Sequence, residues 1–276
     1  MQVATRSHAA RETLSAKPLV AHELTADSLN NLATRQIGLI HVRNFFSLDP
    51  AFKENLVNRL INHPLLGHYR RKYTSGVARV GTPHIDAEWD GDAAAQYHRQ
   101  AIDSIHQLRG LFSPNITPID RVRLMLQELW PKGANLQQLH GRSCFVGAVR
   151  VFKPDSSEFY PHHDRLEEES DAPEAGGLAD QMVANVYLTT SPVGGDLELW
   201  LREANDDERV QICSDEGLSR RRVEEPALTV HPEAGDLTIF CSRMLHAVTP
   251  SRGAYRVGMA AFIGCRGPEH PLTYWS

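Results

Sequence analysis

Residues 159–168, FYPHHDRLEE, set two histidines and an aspartate in succession behind an aromatic pair. In a strand, positions i and i+2 share a face, so His162 and Asp164 project together while His163 points to the other side. An imidazole and a carboxylate on one face are two thirds of a common metal-binding set. One distant histidine completes it and leaves the remaining coordination positions open. The tripeptide alone is weak evidence, because HxD recurs by chance, and the chain contains a second one, His84-Ile85-Asp86. The residues downstream of each motif separate them. After His162 come NVYLTTSPVGGDLELW (185–200) and PEAGDLTIFCSRMLHAVTPSRGAYRVGMAAF (232–262), where His246 is followed ten residues later by Arg256. His84 lies in TPHIDAEWD, between expected helices, and is read as loop or substrate-side structure.

The elements that must position these residues change character along the chain. The first half is mixed, with more helix than strand. A helix is expected over 24–34, a strand over 37–46 (IGLIHVRNFF), and further helices over 92–112 and 119–130. Between them, SLDPAFKENLVNRLINHP has Ser47 near a cap, Pro50 in the first turn, and Phe52, Leu56, Val57, Leu60 and Ile61 at helical spacing. The second half is a series of short strand-like runs: CFVGAVRVF, MVANVYL, DLELWL, ALTVH, DLTIF and YRVGMAAFIG, separated by Gly, Pro and Asp turns. That spacing predicts a sandwich or barrel. Two long polar linkers, 165–180 and 202–226, are read as lids or solvated excursions. Arg220–Arg222, beside Glu224 and Glu225, is read as a solvated loop.

From about 145 to 265 the order HxD, GGxL, PxxGDLxxF, HxVxPSxGxR resembles the double-stranded β-helix core of the Fe(II)/2-oxoglutarate-dependent oxygenases, prolyl-4-hydroxylase-like branch. The N-terminal half and the ending LTYWS are similar to small-molecule members, the indole-alkaloid halogenases in particular. The resemblance implies one oxygenase domain over 1–276: a mainly β fold with flanking helices, a helix-rich part (1–140) packing on a jelly-roll core (141–276). It implies that His162, Asp164 and His246 hold iron. Arg256 would pair with the distal carboxylate of 2-oxoglutarate, assisted by Tyr187, for which a plain core role is the competing view. Arginine suits that task because its planar fork meets a carboxylate through two hydrogen bonds. Halogenating relatives carry Gly or Ala where Asp164 stands, so the implied reaction is hydroxylation with O2, giving succinate and CO2.

Phe152 matches an inward-facing aromatic of the family. If it points inward, strand alternation turns Arg150 inward too, toward a substrate carboxylate or an internal acid. The first-half helices and segment 165–180 are expected over the barrel mouth. GVARVGTPHIDAEWDG (76–91) is the candidate substrate-side wall, with His84, Asp86 and Trp89 as contacts. A closed mouth favours a small molecule: an amino acid, an acylated amino acid or a natural-product intermediate, in secondary metabolism. A peptidyl-proline hydroxylase, a non-catalytic sensor of iron and 2-oxoglutarate and a cupin-like metal-binding protein stand as alternatives; a cupin would not need Arg256 at this spacing.

The bulk composition excludes other classes. A net charge of −5 without a long basic run argues against a general nucleic-acid surface. Cys144, Cys213, Cys241 and Cys265 form no CxxC pair, so neither a zinc ribbon nor a disulfide framework is expected. No run approaches a membrane span. The first 20 residues, with Arg6, Arg11 and Lys17, lack the apolar core of a secretory signal and read as a frayed terminus, with a transit peptide as the alternative. A reducing, cytoplasmic location is the expectation, with the oligomeric state left open.

Overall fold

The computed structural model describes residues 19–71, 74–87, 91–214 and 217–276, so the first 18 residues and Trp89 lie outside the described residues. Four helices precede the core. Helix α1 (Ala26–Ala33) starts at a capping box between Thr25 and Ser28. In α2 (Pro50–Ile61) the cap is Asp49, two residues past Ser47, accepting from the Phe52 N–H with Pro50 behind it. Helix α3 (Gly91–Phe112) buries Tyr97, Ala101, Ile105, Leu108 and Phe112, a stripe at three- and four-residue spacing. Helix α4 (Pro118–Leu129) is capped by Thr117.

Strands β1 (Leu39–Val42), β2 (Ala78–Val80), β3 (Ala148–Phe152), β4 (Phe159–His162), β5 (Asp180–Thr189), β6 (Leu197–Glu203), β7 (Leu228–Val230), β8 (Leu237–Cys241), β9 (Met244–Val248), β10 (Arg256–Cys265) and β11 (Leu272–Trp275) build two sheets. The large one runs β1-β8-β5-β10-β3-β2, with β11 continuing the β3 side of β10; the small one runs β7-β6-β9-β4. These neighbours are antiparallel, and parallel pairs enter only at the margins of the large sheet. The result is the expected jelly-roll core.

Tyr187 and Asn185 on β5 share the face that carries the candidate chemistry, yet Val186 and Ala184 on the opposite face are also fully buried. Cover from outside is therefore required, and α1, α2 and α4 provide it: Leu29, Leu32, Leu56, Leu60, Ile119 and Leu126 join Ala184, Val186, Ile239 and Ile263 in one apolar cluster. Each such buried side chain stabilises the fold by about 1.5–3 kcal/mol relative to exposure. These helices thus back the large sheet, where the sequence suggested they roofed the barrel mouth.

The polar linkers are also more structured than expected. Segment 202–226 contains α5 (Asp206–Cys213), with a capping box between Asn205 and Glu208. Arg220 is not a solvated-loop residue. It donates to the carbonyls of Phe159 (3.2 Å) and Val248 (2.9 Å) and pairs with Glu198, so it ties the ends of β4 and β9 together. All four cysteines are free, and among the described residues no helix is long and apolar enough to cross a membrane.

Candidate metal centre

β4 and β9 are neighbours in the small sheet, with His162 directly opposite His246 and the ring centroids 4.2 Å apart. Asp164 follows β4. The Asp164 Oδ2 atom lies 3.8 Å from His162 Nε2 and 3.3 Å from His246 Nε2, and one ligand atom from each residue falls within 4.8 Å of the others. All three side chains are buried. His162 Nδ1 is 2.7 Å from the Tyr160 carbonyl and His246 Nδ1 is 2.9 Å from the Met244 carbonyl. A carbonyl only accepts, so each Nδ1 carries a proton, and each Nε2 is the ring nitrogen turned toward Asp164, where a metal would be held.

Electrostatics sharpen the same donor set. Burial, then the neighbouring His246, pushes the pKa of His162 down to about 3, so the imidazole is neutral at neutral pH. Burial alone would raise the Asp164 carboxyl, but His162, the hydrogen bond and charge of His246, and Arg150 outweigh it and hold the group below the ordinary carboxylate range. Two imidazoles and one carboxylate, buried on one face, fit a divalent iron ion with open positions.

The backbone of Asp164 is clamped by residues that sequence reasoning missed. The buried Gln181 side chain donates to the Asp164 carbonyl (3.2 Å) and accepts from the Leu166 N–H (2.8 Å), while the Asp164 N–H donates to the Ser242 carbonyl (2.8 Å). His163 turns away from the triad to Glu168, 2.9 Å distant.

Arg256 is buried on the inner face of β10, directly opposite Phe152. Its guanidinium lies 4.4 Å from the Phe152 ring centroid and 5.1 Å from that of Tyr187. Among the described residues it forms no salt bridge, and its Nε lacks a hydrogen-bond acceptor. Tyr187 also meets Thr238 Oγ1 at 2.8 Å. The turn beside them is tight: a Cβ on Gly195 would meet Arg256 Cδ at 3.1 Å and Ser251 Oγ at 3.0 Å, and Gly195 has φ +70°. Arg150 faces the same interior. Its Nε donates to Tyr69 Oη (3.2 Å), Nη1 to Asn185 Oδ1 (3.4 Å), and its guanidinium lies 5.5 Å from the Phe159 ring. That ring packs edge-on against His162.

The second HxD motif has a different placement. The His84 ring packs on Tyr97 of α3, and Asp86 is a buried partner of Arg79 at 2.6 Å. Asp86 is therefore a structural acid and not a free substrate contact. A surface cavity of about 590 Å³ lies between α3 and α4 around Arg109, Ile116 and Leu124 and includes none of the triad.

Two sheets enclosing a buried His–Asp–His face make a double-stranded β-helix with a site for a divalent metal. Residues 147–264, which hold all three candidate ligands and Arg256, match the 2OG-Fe(II) oxygenase superfamily. Its metal and co-substrates are accordingly Fe(II), 2-oxoglutarate and O2. A curated relative is L-gamma-glutamyl-L-propargylglycine hydroxylase of Streptantibioticus cattleyicolor, 27% identical over 93% of this chain and 94% of that protein. Among solved structures, an N-substituted L-amino acid dioxygenase from Burkholderia ambifaria AMMD superposes with a TM-score of 0.59 at 15% identity, over 91% of each chain. Its complex with alpha-KG gives 0.56 at the same identity and coverage. These two likenesses concern the fold.

Proposed function

We propose that the protein, acting as one domain, hydroxylates an unactivated C–H bond of a small molecule, with 2-oxoglutarate and O2 converted to succinate and CO2. The observation that carries this reading is Asp164, a buried carboxylate completing the triad with His162 and His246. A third protein ligand at that position favours oxygen transfer over halide transfer. Iron with 2-oxoglutarate and O2 supplies the oxidant; the chain supplies placement. Arg256 offers two parallel hydrogen bonds to the distal carboxylate of 2-oxoglutarate, with Tyr187 beside it. Phe152 and Phe159 line the interior and exclude water. Arg150, Phe152 and His84 are the proposed substrate-side residues, His84 through the loop it anchors on α3.

The curated relative acts on a γ-glutamyl amino acid, which supports an acylated amino acid over the other small molecules. A cytoplasmic role in secondary metabolism accompanies this reading. The test is succinate release over a panel of acylated amino acids, with mass spectrometry of the products. Stoichiometric succinate and gain of one oxygen atom are expected. Succinate release with no compound in the panel oxidised would refute a substrate of this class.

A further inference from the structure

The ladder alone holds His162 weakly. Strand β4 is the edge of the small sheet, with β9 as its strand neighbour, and Pro161, directly before the ligand, has no N–H to give. The pairing is also irregular there. His162 faces His246 and Phe159 faces Val248, so three steps along β4 meet two along β9, and the register slips by one beside both ligands. A ligand set works only while its atoms stay within about 0.5 Å of the productive geometry. Restraint from outside the ladder is therefore required.

Residues 217–223, in the second polar linker, supply it. The Leu218 N–H donates to the Pro161 carbonyl at 2.9 Å. Arg220 Nη2 donates to the carbonyls of Phe159 and Val248, the pair on the far side of the slip. Acids aim the rest of the guanidinium: Glu198 on β6 pairs with Nη1, and Glu158 lies 3.6 Å from Nε. The planar fork, with its fixed donors, bridges two strands in one geometry. Behind it, Leu218 joins Trp200, Ile212, Leu245 and Ala247 in a small apolar cluster. Leu245 and Ala247 flank His246, and alternation turns them to the outer face as His246 turns inward. One short segment thus holds the strands of both histidine ligands, and none of its residues belongs to the triad.

We propose that residues 217–223 form a strap that sets the distance between the two histidine ligands, with Arg220 as its positioning residue. The inference rests on the triad holding a metal, as the oxygenase reading requires, and goes beyond that reading in assigning the polar linker to the metal centre. Without the fork, the irregular end of β4 is free to slide against β9, and His162 leaves the position it shares with His246 and Asp164. The coupling is reciprocal: whatever the strap contributes to metal affinity, the metal contributes to holding the strap closed.

The test titrates Co(II) into the metal-free protein and its variants, with the d–d absorption bands reporting ligand geometry. Arg220→Gln and Arg220→Met should each bind Co(II) about ten- to a hundredfold more weakly than wild type, with shifted bands, the range for a residue that orients a metal ligand. Arg220→Lys, which keeps the charge and offers an ammonium to the carbonyls, should recover part of the loss. Leu126→Ala, a truncation of a buried side chain in α4 on the large sheet, is the control. It lowers the urea midpoint but leaves the bands and the Co(II) affinity of the folded protein as in wild type. In wild-type protein, amide exchange across 217–223 should slow by a similar factor when Zn(II) is bound. Wild-type affinity and bands in a folded Arg220→Gln or Arg220→Met protein, an equal loss in Leu126→Ala, or strap exchange indifferent to Zn(II) overturns the proposal. If wild-type protein binds Co(II), such a result removes the strap alone. If it binds none, the metal-centre reading falls as well.

Discussion

Replacing Gln181 by Met tests whether the Asp164 ligand is held by its backbone clamp. The substitution nearly conserves volume but removes two hydrogen bonds, to the Asp164 carbonyl and from the Leu166 N–H. Gln181 is 1% exposed, so water does not replace the lost partners. The orphaned Leu166 N–H costs about 1–3 kcal/mol, and the Asp164 carbonyl loses its closer donor and keeps the Ser242 Oγ contact at 3.4 Å. The expected loss in folding stability is about 2–4 kcal/mol, read by urea denaturation of the metal-free protein. Because the freed carbonyl is that of a ligand residue, Co(II) affinity should also fall, by about tenfold or more. Gln181→Glu keeps the acceptor for Leu166 N–H but sets a carboxylate against the Asp164 carbonyl, so it should not rescue metal binding. Unchanged Co(II) affinity in a destabilised Gln181→Met protein would refute the positioning argument and leave Gln181 a purely structural residue.

Asp236 should govern part of the acid limb of stability. Burial would raise its carboxyl, but the Glu233 N–H, His41, the Asn44 N–H and Arg43 hold it below the ordinary 3.8. A depressed folded value means its contribution is complete above the unfolded value and is lost as pH falls through the folded one. Asp236→Asn should therefore lower stability at neutral pH and flatten the acid limb, measured by urea midpoints across pH; an unchanged limb contradicts it. Gly195→Ala should weaken 2-oxoglutarate binding while sparing metal affinity, since the new Cβ presses on Arg256 and Ser251 and the positive φ adds about 1–2 kcal/mol of strain. Calorimetry on Zn(II)-loaded protein showing wild-type 2-oxoglutarate affinity would count against that geometry.

The metal face was legible because its information is local. His162 and Asp164 are two residues apart on a strand, and His246 and Arg256 sit at strand-and-turn signals that survive in a single sequence. Alternation also turns Asn185 to the face of Tyr187, a signal that was there to use. Gln181 carried no mark: a glutamine in an apolar strand gains its meaning only when the chain around Asp164 folds back onto it. Tyr69 meets Arg150 across 81 residues, and no periodicity reports a contact of that separation. The helices' amphipathic faces were readable, but which surface they cover was not; burial on both sides of β5 decides it. Arg220 looked solvated because its neighbours are charged, whereas its partners are carbonyls on β4 and β9, brought to it by the jelly roll.

The central claim is tested most directly by anaerobic visible absorption of the metal-free protein titrated with Fe(II), with and without 2-oxoglutarate, beside Asp164→Ala and Arg256→Ala. The account predicts a weak metal-to-ligand charge-transfer band that requires both additions and is weakened by Arg256→Ala. Wild-type protein that binds Fe(II) yet shows no such band on addition of 2-oxoglutarate would contradict it.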